Sequence, residues 1–300
     1  MKINSIVRLS AWSLGILFLC ATPACGENSL SPPRTEQQQL TKQEVLQKLV
    51  EADVVYLAET HSSPEDHQAQ LEILQALYQE KQNISRGTNA PRIAIAMEMF
   101  QRPYQDILNQ YLAGKITEDQ LREQSEYQQR WGFPWEYYAP ILEFAKTHQL
   151  PVLALNVPTE VTRQVASQGL ESLTTSQQQY IPPLAEIWTD QAEYRQMIEE
   201  IYQQHAHAGH GNSNNFERFF TAQVLWDETM AEVIAQFLKA NRDYQVVVLA
   251  GQGHVAYGYG IPARVERRMK NPQLMQRSVF FDVSVEDQAL GEKAIADYFW

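Results

Sequence analysis

Five short apolar runs rich in β-branched residues constrain this chain more than anything else in it: Val54 to Ala58, Arg92 to Met97, Pro151 to Leu155, Gln245 to Ala250 and Ser278 to Val283. Such runs read as strands. Their near-continuous apolarity predicts burial on both faces, as in a parallel sheet covered by helices. Helical patterns separate them at His67 to Gln82, Tyr138 to Thr147 and Phe216 to Ala240. The chain is therefore expected to be α/β, with a mainly parallel central sheet flanked by helices. Residues 99–150 and 157–244 are too long for simple crossovers and predict helical insertions over the carboxyl ends of the strands.

In open α/β sheets a ligand site lies outside the carboxyl ends of the strands. The residues just past each run are therefore the candidates: Glu59 and His61 after the first, Glu98 after the second, Asn156 after the third, and Gly251-Gln252-Gly253-His254 after the fourth. The two glycines suggest a tight turn that presents His254. They lack the further glycine of a dinucleotide fingerprint, so no nucleotide is expected. Between Glu59 and the next helix, Ser63-Pro64-Glu65 supplies a cap, a first-turn proline and a first-turn acid.

The 216–240 segment adds an independent signal. Phe216, Phe219, Phe220, Met230, Ala231, Ile234 and Leu238 form one helical stripe, and Gln223 and Asp227 fall in the middle of it. A buried carboxylate needs a partner, so Asp227 is expected to meet a cation, a metal or a histidine. Glu217, Glu228 and Glu232 lie off the stripe and are expected in solvent. Glu59, His61, Glu98, Asp227 and His254 together suit acid–base chemistry, and Glu59, His61, Asp227 and His254 also suit a divalent metal ion.

Two further clusters stand apart. His205, His207 and His210, spaced by alanine and glycine, predict a mobile loop able to bind a transition metal or to contact haem iron, or else a plain solvated loop. The aromatic segment from Trp131 to Ile141 is either core or the wall of a flat apolar ligand.

Composition bounds the partners. A formal charge of -12 with no basic block excludes a nucleic-acid role, because affinity for a polyanion rests on clustered Lys and Arg. Residues 1–25 have the parts of an export signal: Lys2 and Arg8, the apolar stretch Leu9 to Leu19, then small residues. Cys25 follows Ala24, which predicts either lipidation and anchoring to an envelope membrane or cleavage to a free periplasmic protein. Residues 26–43 are polar and read as a linker, leaving 44–300 for one large domain. The two cysteines, Cys20 and Cys25, both lie in the leader, so that domain is expected to fold without disulfides.

The ordered set Ala58-Glu59-Thr60-His61, Ala96-Met97-Glu98-Met99-Phe100, Trp135 with Tyr138-Ala139-Pro140-Ile141-Leu142, Ala154-Leu155-Asn156-Val157-Pro158, Ala222 to Ala231 and Ala250 to Gly258 resembles the ChaN-like haem-binding lipoprotein family. That family is a branch of the superfamily that includes the Tiki and TraB proteins and the erythromycin esterases. Ala58 stands where the superfamily's Gly-Glu-x-His element has glycine. The resemblance implies an α/β core with a helical insertion, and haem bound as a cofacial pair across a homodimer for iron acquisition. It also implies a tyrosine on the iron, assisted by a histidine. Tyr138 lies in the matching segment, while Tyr137 and the histidines at 205, 207 and 210 stay open as alternatives. Two functions are implied: an envelope haem carrier in haem or iron uptake, or a metal-dependent peptidase or esterase built on the strand-end carboxylates and imidazoles.

Overall fold

The computed structural model describes residues 40–84, 92–207, 216–281 and 293–300. Helix α1 (Lys42–Val50) leads into β1 (Val54–Glu59), α2 (Pro64–Ile84) and β2 (Arg92–Gln101). Between β2 and β3 (Val152–Asn156) lie α3 (Gln105–Leu112), α4 (Glu118–Gln124), α5 (Tyr127–Arg130) and α6 (Ala139–Thr147). Between β3 and β4 (Tyr244–Gly251) lie α7 (Thr159–Gln168), α8 (Thr175–Gln178), α9 (Ala192–His207) and α10 (Phe216–Ala240). The chain then forms α11 (Ile261–Met269), β5 (Gln276–Phe280) and β6 (Tyr298–Phe299). The two long intervals are helical insertions, as expected.

All pairings are parallel, in the order β3-β2-β4-β1-β5-β6. Alternation along each strand splits the core into two layers. Val55 and Leu57 of β1, Ile93, Ile95 and Met97 of β2, and Val247 and Leu249 of β4 pack with Leu74 and Leu77 of α2 and Ile141 and Leu142 of α6. Val54, Tyr56, Ala58, Ala96, Val246 and Val248 pack on the other side with Met230 and Ile234 of α10 and Ile261 and Val265 of α11. Burying both faces is what makes the strands read as continuous apolar runs. The expected fifth strand is shorter than its run, ending at Phe280, and Val283 lies outside the described residues. Strand β6 is not anticipated by the sequence; two residues carry no periodicity to detect.

Three adjacent central strands bring the site together. Glu59 at the end of β1 pairs in register with Gly251 at the end of β4, and β2 lies on the other side of β4. The β2–β3 register slips after Met97, where Met97 faces Ala154 but Gln101 faces Asn156. Such an irregularity re-aims side chains at the end of a strand, and Glu98 is the first residue within it. Among the described residues no helix is long and apolar enough to cross a membrane.

Candidate functional site

The carboxyl rim holds two carboxylate–imidazole pairs. In the first, His61 Nδ1 lies 2.8 Å from Glu59 Oε1, which also accepts from the Tyr138 hydroxyl at 2.6 Å. Gln70 Nε2 donates to Glu59 Oε2 at 2.8 Å, and His67 Nδ1 lies 3.6 Å from the same oxygen. Helix α2 delivers His67 and Gln70 one turn apart on its buried face, and its start is fixed as expected: Asp66 N–H donates to Ser63 Oγ at 3.2 Å. The Asp66 side chain adds a second tie, since its Oδ2 accepts from Thr60 N–H at 2.7 Å and so binds the loop between Glu59 and His61 to the helix.

In the second pair, Asp227 Oδ1 lies 2.6 Å from His254 Nδ1, and Asp227 Oδ2 accepts from the Tyr194 hydroxyl. Gln223, the other polar residue on the α10 stripe, approaches the same Nδ1 at 3.3 Å. His254 sits in the 3-10 turn Gln252–His254 after β4. Its Nε2 lies 3.4 Å from Glu98 Oε1, while Glu98 Oε2 accepts from Gly251 N–H at 2.7 Å. Asn156 Nδ2 donates to the Glu98 carbonyl at 3.1 Å and so braces the strand end rather than lining the cleft.

Burial sets the charges. It works against the imidazolium of His254, but Glu98 and Asp227 on its two nitrogens outweigh it and hold the group up at about 10. Burial likewise works against the Glu98 carboxylate, and His254, His61 and the Gly251 N–H together hold it down at about 2. For His61 burial is again outweighed, by Glu59 and Glu98, and its pKa is raised. Burial and the neighbouring Glu59 push the Tyr138 phenol far above the usual range.

Gly251 shows how the two pairs meet. A Cβ there would fall 2.8 Å from His61 Nε2 and 3.7 Å from Glu98 Oε2. The missing side chain thus lets the end of β4 pack directly against the His61 ring, with the Glu98 carboxylate beside it. Trp131 stands edge-on to the His61 ring at 4.8 Å with Phe133 tilted at 5.1 Å, and Trp226 stands edge-on to His254 at 6.0 Å. Both imidazoles are therefore flanked by aromatic rings.

The structure brings together Glu59, His61, Glu98, Asp227 and His254 as the sequence suggested, but not as a metal centre. Among the described residues no group of three or more His, Cys, Asp and Glu could hold an ion. The donor set explains this: both oxygens of Glu59 and of Asp227 already accept hydrogen bonds, and both nitrogens of His254 face carboxylates. A ligand needs a lone pair to give.

Tyr138, the expected iron ligand, is fully buried with its hydroxyl on Glu59, so it has no face open to a macrocycle. Tyr137 is half-buried and stacks on His67 with ring centroids 4.7 Å apart. His205 and His207 lie in the last turn of α9, not in a loop, because the apolar stripe through Tyr194 and Ile198 docks that helix and Gln and Ala continue it well. His210 and Cys25 lie outside the described residues.

Glu228 and Glu232 are buried, contrary to the solvent position read from the stripe. Helix α10 packs against α7, α9, α11 and the sheet, so its polar side is covered as well. Glu228 takes Arg267 at 2.5 Å and Arg268 at 2.6 Å, and Glu232 takes Arg102 at 2.8 Å. Glu217 is exposed. Sequence reasoning also missed His67, Gln70, Tyr194 and Arg264. Arg264 has a readable signal, since it lies beside Ile261 and Val265 on the apolar side of α11.

A parallel α/β sheet with buried carboxylate–imidazole pairs at its carboxyl ends is a recognisable class. Within it, residues 45–265 match the family described as haem-binding uptake, Tiki superfamily, ChaN. The chain belongs to that family. It is similar in fold to ChaN of Campylobacter jejuni, a structure described as showing cofacial haem binding, with a TM-score of 0.61 at 17% identity over 83% of this chain and 88% of that one. An erythromycin esterase mutant in its open conformation matches with a TM-score of 0.42 at 16% identity, over 82% of this chain and 74% of that one. In sequence the chain is 28% identical to the chloroplastic protein RETICULATA-RELATED 5 of Arabidopsis thaliana, over 86% of this chain. It spans 35% of the length of that relative.

Proposed function

We propose that this chain is an envelope haem-binding protein acting in haem or iron uptake. The family match carries the reading, because residues 45–265 take in the whole rim and the aromatic segment beside it. Half-buried Trp131 and Phe133 make an apolar ledge next to His61, half-buried Tyr137 stacks on His67, and such aromatic surface suits a flat macrocycle. Of the two tyrosines suggested by the sequence, Tyr137 is the one whose ring is partly open, so it is assigned the iron and Tyr138 the support of Glu59. Bound haem would supply the iron centre and its absorbance; this chain supplies the phenolate, the apolar wall and the exclusion of water.

Titration of the protein with haemin is expected to give a saturating Soret band that Tyr137→Phe weakens and Tyr138→Phe leaves in place. A featureless titration at micromolar protein sinks the reading. The cofacial arrangement described for the Campylobacter jejuni protein extends here to a second copy of the chain, checked by whether haemin doubles the mass seen by light scattering. Export through residues 1–25, with a lipid on Cys25 or a free periplasmic chain, is tested by the mass of the mature N-terminus.

A second reading is favoured by one observation, the meeting of the two pairs at Gly251, where His61 Nε2 and Glu98 lie side by side. A substrate reaching the two side chains would meet a carboxylate and an imidazole, the groups that general acid–base hydrolysis of an ester or amide uses. Turnover that His61→Ala abolishes and chelator leaves untouched would support it.

A further inference from the structure

We propose that Arg264 is a positioning residue that sets His254 from behind. It deepens the acid–base reading of the rim, yet concerns only where the imidazole of His254 is held. Arg264 is 1% exposed and touches neither the cleft nor solvent. Its hydrogen bonds all run from Nη1 while Nε and Nη2 have no hydrogen-bond partner, so what matches its buried charge is the pair of carboxylates beside it, Asp227 and Glu228.

Three routes run from it to His254. The first goes through the carboxylate: Arg264 Nη1 lies 3.9 Å from Asp227 Oδ2, and the other oxygen of Asp227 holds His254 Nδ1. The second goes through the phenol. The guanidinium lies over the Tyr194 ring, 4.7 Å from its centroid, and the hydroxyl of that ring donates to Asp227 Oδ2. The third goes through the backbone. Arg264 Nη1 donates to the carbonyls of Tyr259 at 2.7 Å and Gly260 at 2.9 Å, at the end of the loop that starts at His254. Gly260 folds back so closely that a Cβ on it would fall 2.2 Å from the His254 carbonyl oxygen. Arg264 thus pins both the ring partner and the main chain of the same histidine.

The rest of the arginine's surroundings fix it in turn. Its Nε lies 3.5 Å from Glu228 Oε1, and Glu228 is held by Arg267 and Arg268. Asp227 and Glu228 are consecutive on α10, so one helical turn carries both the partner of His254 and the anchor of the residue that places it. The partners of Glu59 are His61, His67, Gln70 and Tyr138, and the proposal gives Arg264 no part in that first pair.

The test is proton and nitrogen-15 NMR of the full, haem-free chain at neutral pH, reading the ring N–H protons that His254 and His61 place on Asp227 and Glu59. In Arg264→Met the far-downfield His254 proton is expected to vanish into exchange while the His61 proton keeps its position, and Arg264→Lys, which retains a cation, is expected to restore the His254 signal. If Arg264→Met does not fold, the neutral but polar Arg264→Gln takes its place in the same comparison. An unchanged His254 proton in a folded Met or Gln variant overturns the proposal. So does loss of both histidine signals together, or loss in the Lys variant, since either shows only that the fold has loosened. The readout needs neither haem nor substrate, so a missing Soret band or missing turnover leaves it standing.

Discussion

The two halves of the rim are built on different principles. The Glu59 half comes mostly from one short stretch of chain, Glu59, His61, His67 and Gln70, closed by Tyr138 from the insertion. The Asp227 half is gathered from β2, α9, α10, the turn after β4 and α11, and it stands against buried arginines. The first holds its carboxylate mostly with neutral donors, Gln70 and Tyr138 beside His61, whereas the second sets two carboxylates on the two nitrogens of one imidazole. What the difference teaches is a division of labour. Glu59 orients His61 and helps to raise its pKa, whereas His254 is raised and Glu98 lowered chiefly by each other.

Removing the saturated carboxylate should have the largest effect. Glu59→Ala leaves the buried donors of His61, His67, Gln70 and Tyr138 facing one another, and breaking a buried ionic and hydrogen-bonded cluster on one side costs about 3–5 kcal/mol. Urea unfolding measures it. A loss under about 1 kcal/mol, the worth of an ordinary exposed ion pair, would break the comparison, because it would mean that the first half is not held by its carboxylate.

The second half should reveal itself by pH. The pKa of His254 in the folded chain is raised to about 10, so the stability it contributes is present below its ordinary value and is lost as pH rises through about 10. Glu98 is depressed to about 2, so its contribution is present above the ordinary carboxylate range and is lost as pH falls through about 2. The two partners share one interaction, counted once at about 3 kcal/mol on the acid side. Melting temperature against pH should therefore fall at both ends, and His254→Gln should flatten the alkaline limb.

Tyr138→Phe comes next. It removes one hydrogen bond to a buried carboxylate, worth about 1.5–3 kcal/mol, without opening a cavity. Calorimetry on this variant, set beside its haemin titration, separates the two roles offered for the aromatic segment. A destabilised protein with its Soret band intact keeps Tyr138 as a brace for Glu59. Loss of the band with no loss of stability would return the iron to Tyr138.

Legibility in the sequence divides along similar lines. The five runs, the long helical insertions and the polar residues at strand ends are readable because each depends on local periodicity or on the residues immediately past a strand. Asp227 is readable because it is a carboxylate inside an apolar stripe. Glu228 and Glu232 are misread because a stripe shows which face is apolar, not how many neighbours enclose the helix, and α10 is enclosed on nearly every side. Tyr137 and Tyr138 look alike in sequence, and only tertiary burial tells the half-buried ring from the fully buried one. Metal binding is overread, since residue types reveal which groups can be ligands and only partners reveal which lone pairs are spent.

The smallest expected effect sharpens the comparison most. Gly251 has φ -61° and ψ 148°, an ordinary extended conformation, so alanine meets no backbone strain there. Its Cβ would instead press on His61 Cε1 and Nε2, each 2.8 Å away. That ring cannot easily yield, being tied to Glu59 at Nδ1 and walled by Trp131 and Phe133. Gly251→Ala should cost about 1–3 kcal/mol, the range for overpacking a filled site. It should also displace the ring signals of His61 while leaving those of His254, whose pair lies across Glu98 from the added methyl. Equal displacement of both imidazoles would show that the halves are one mechanical unit, and the distinction between them would then rest on their partners alone.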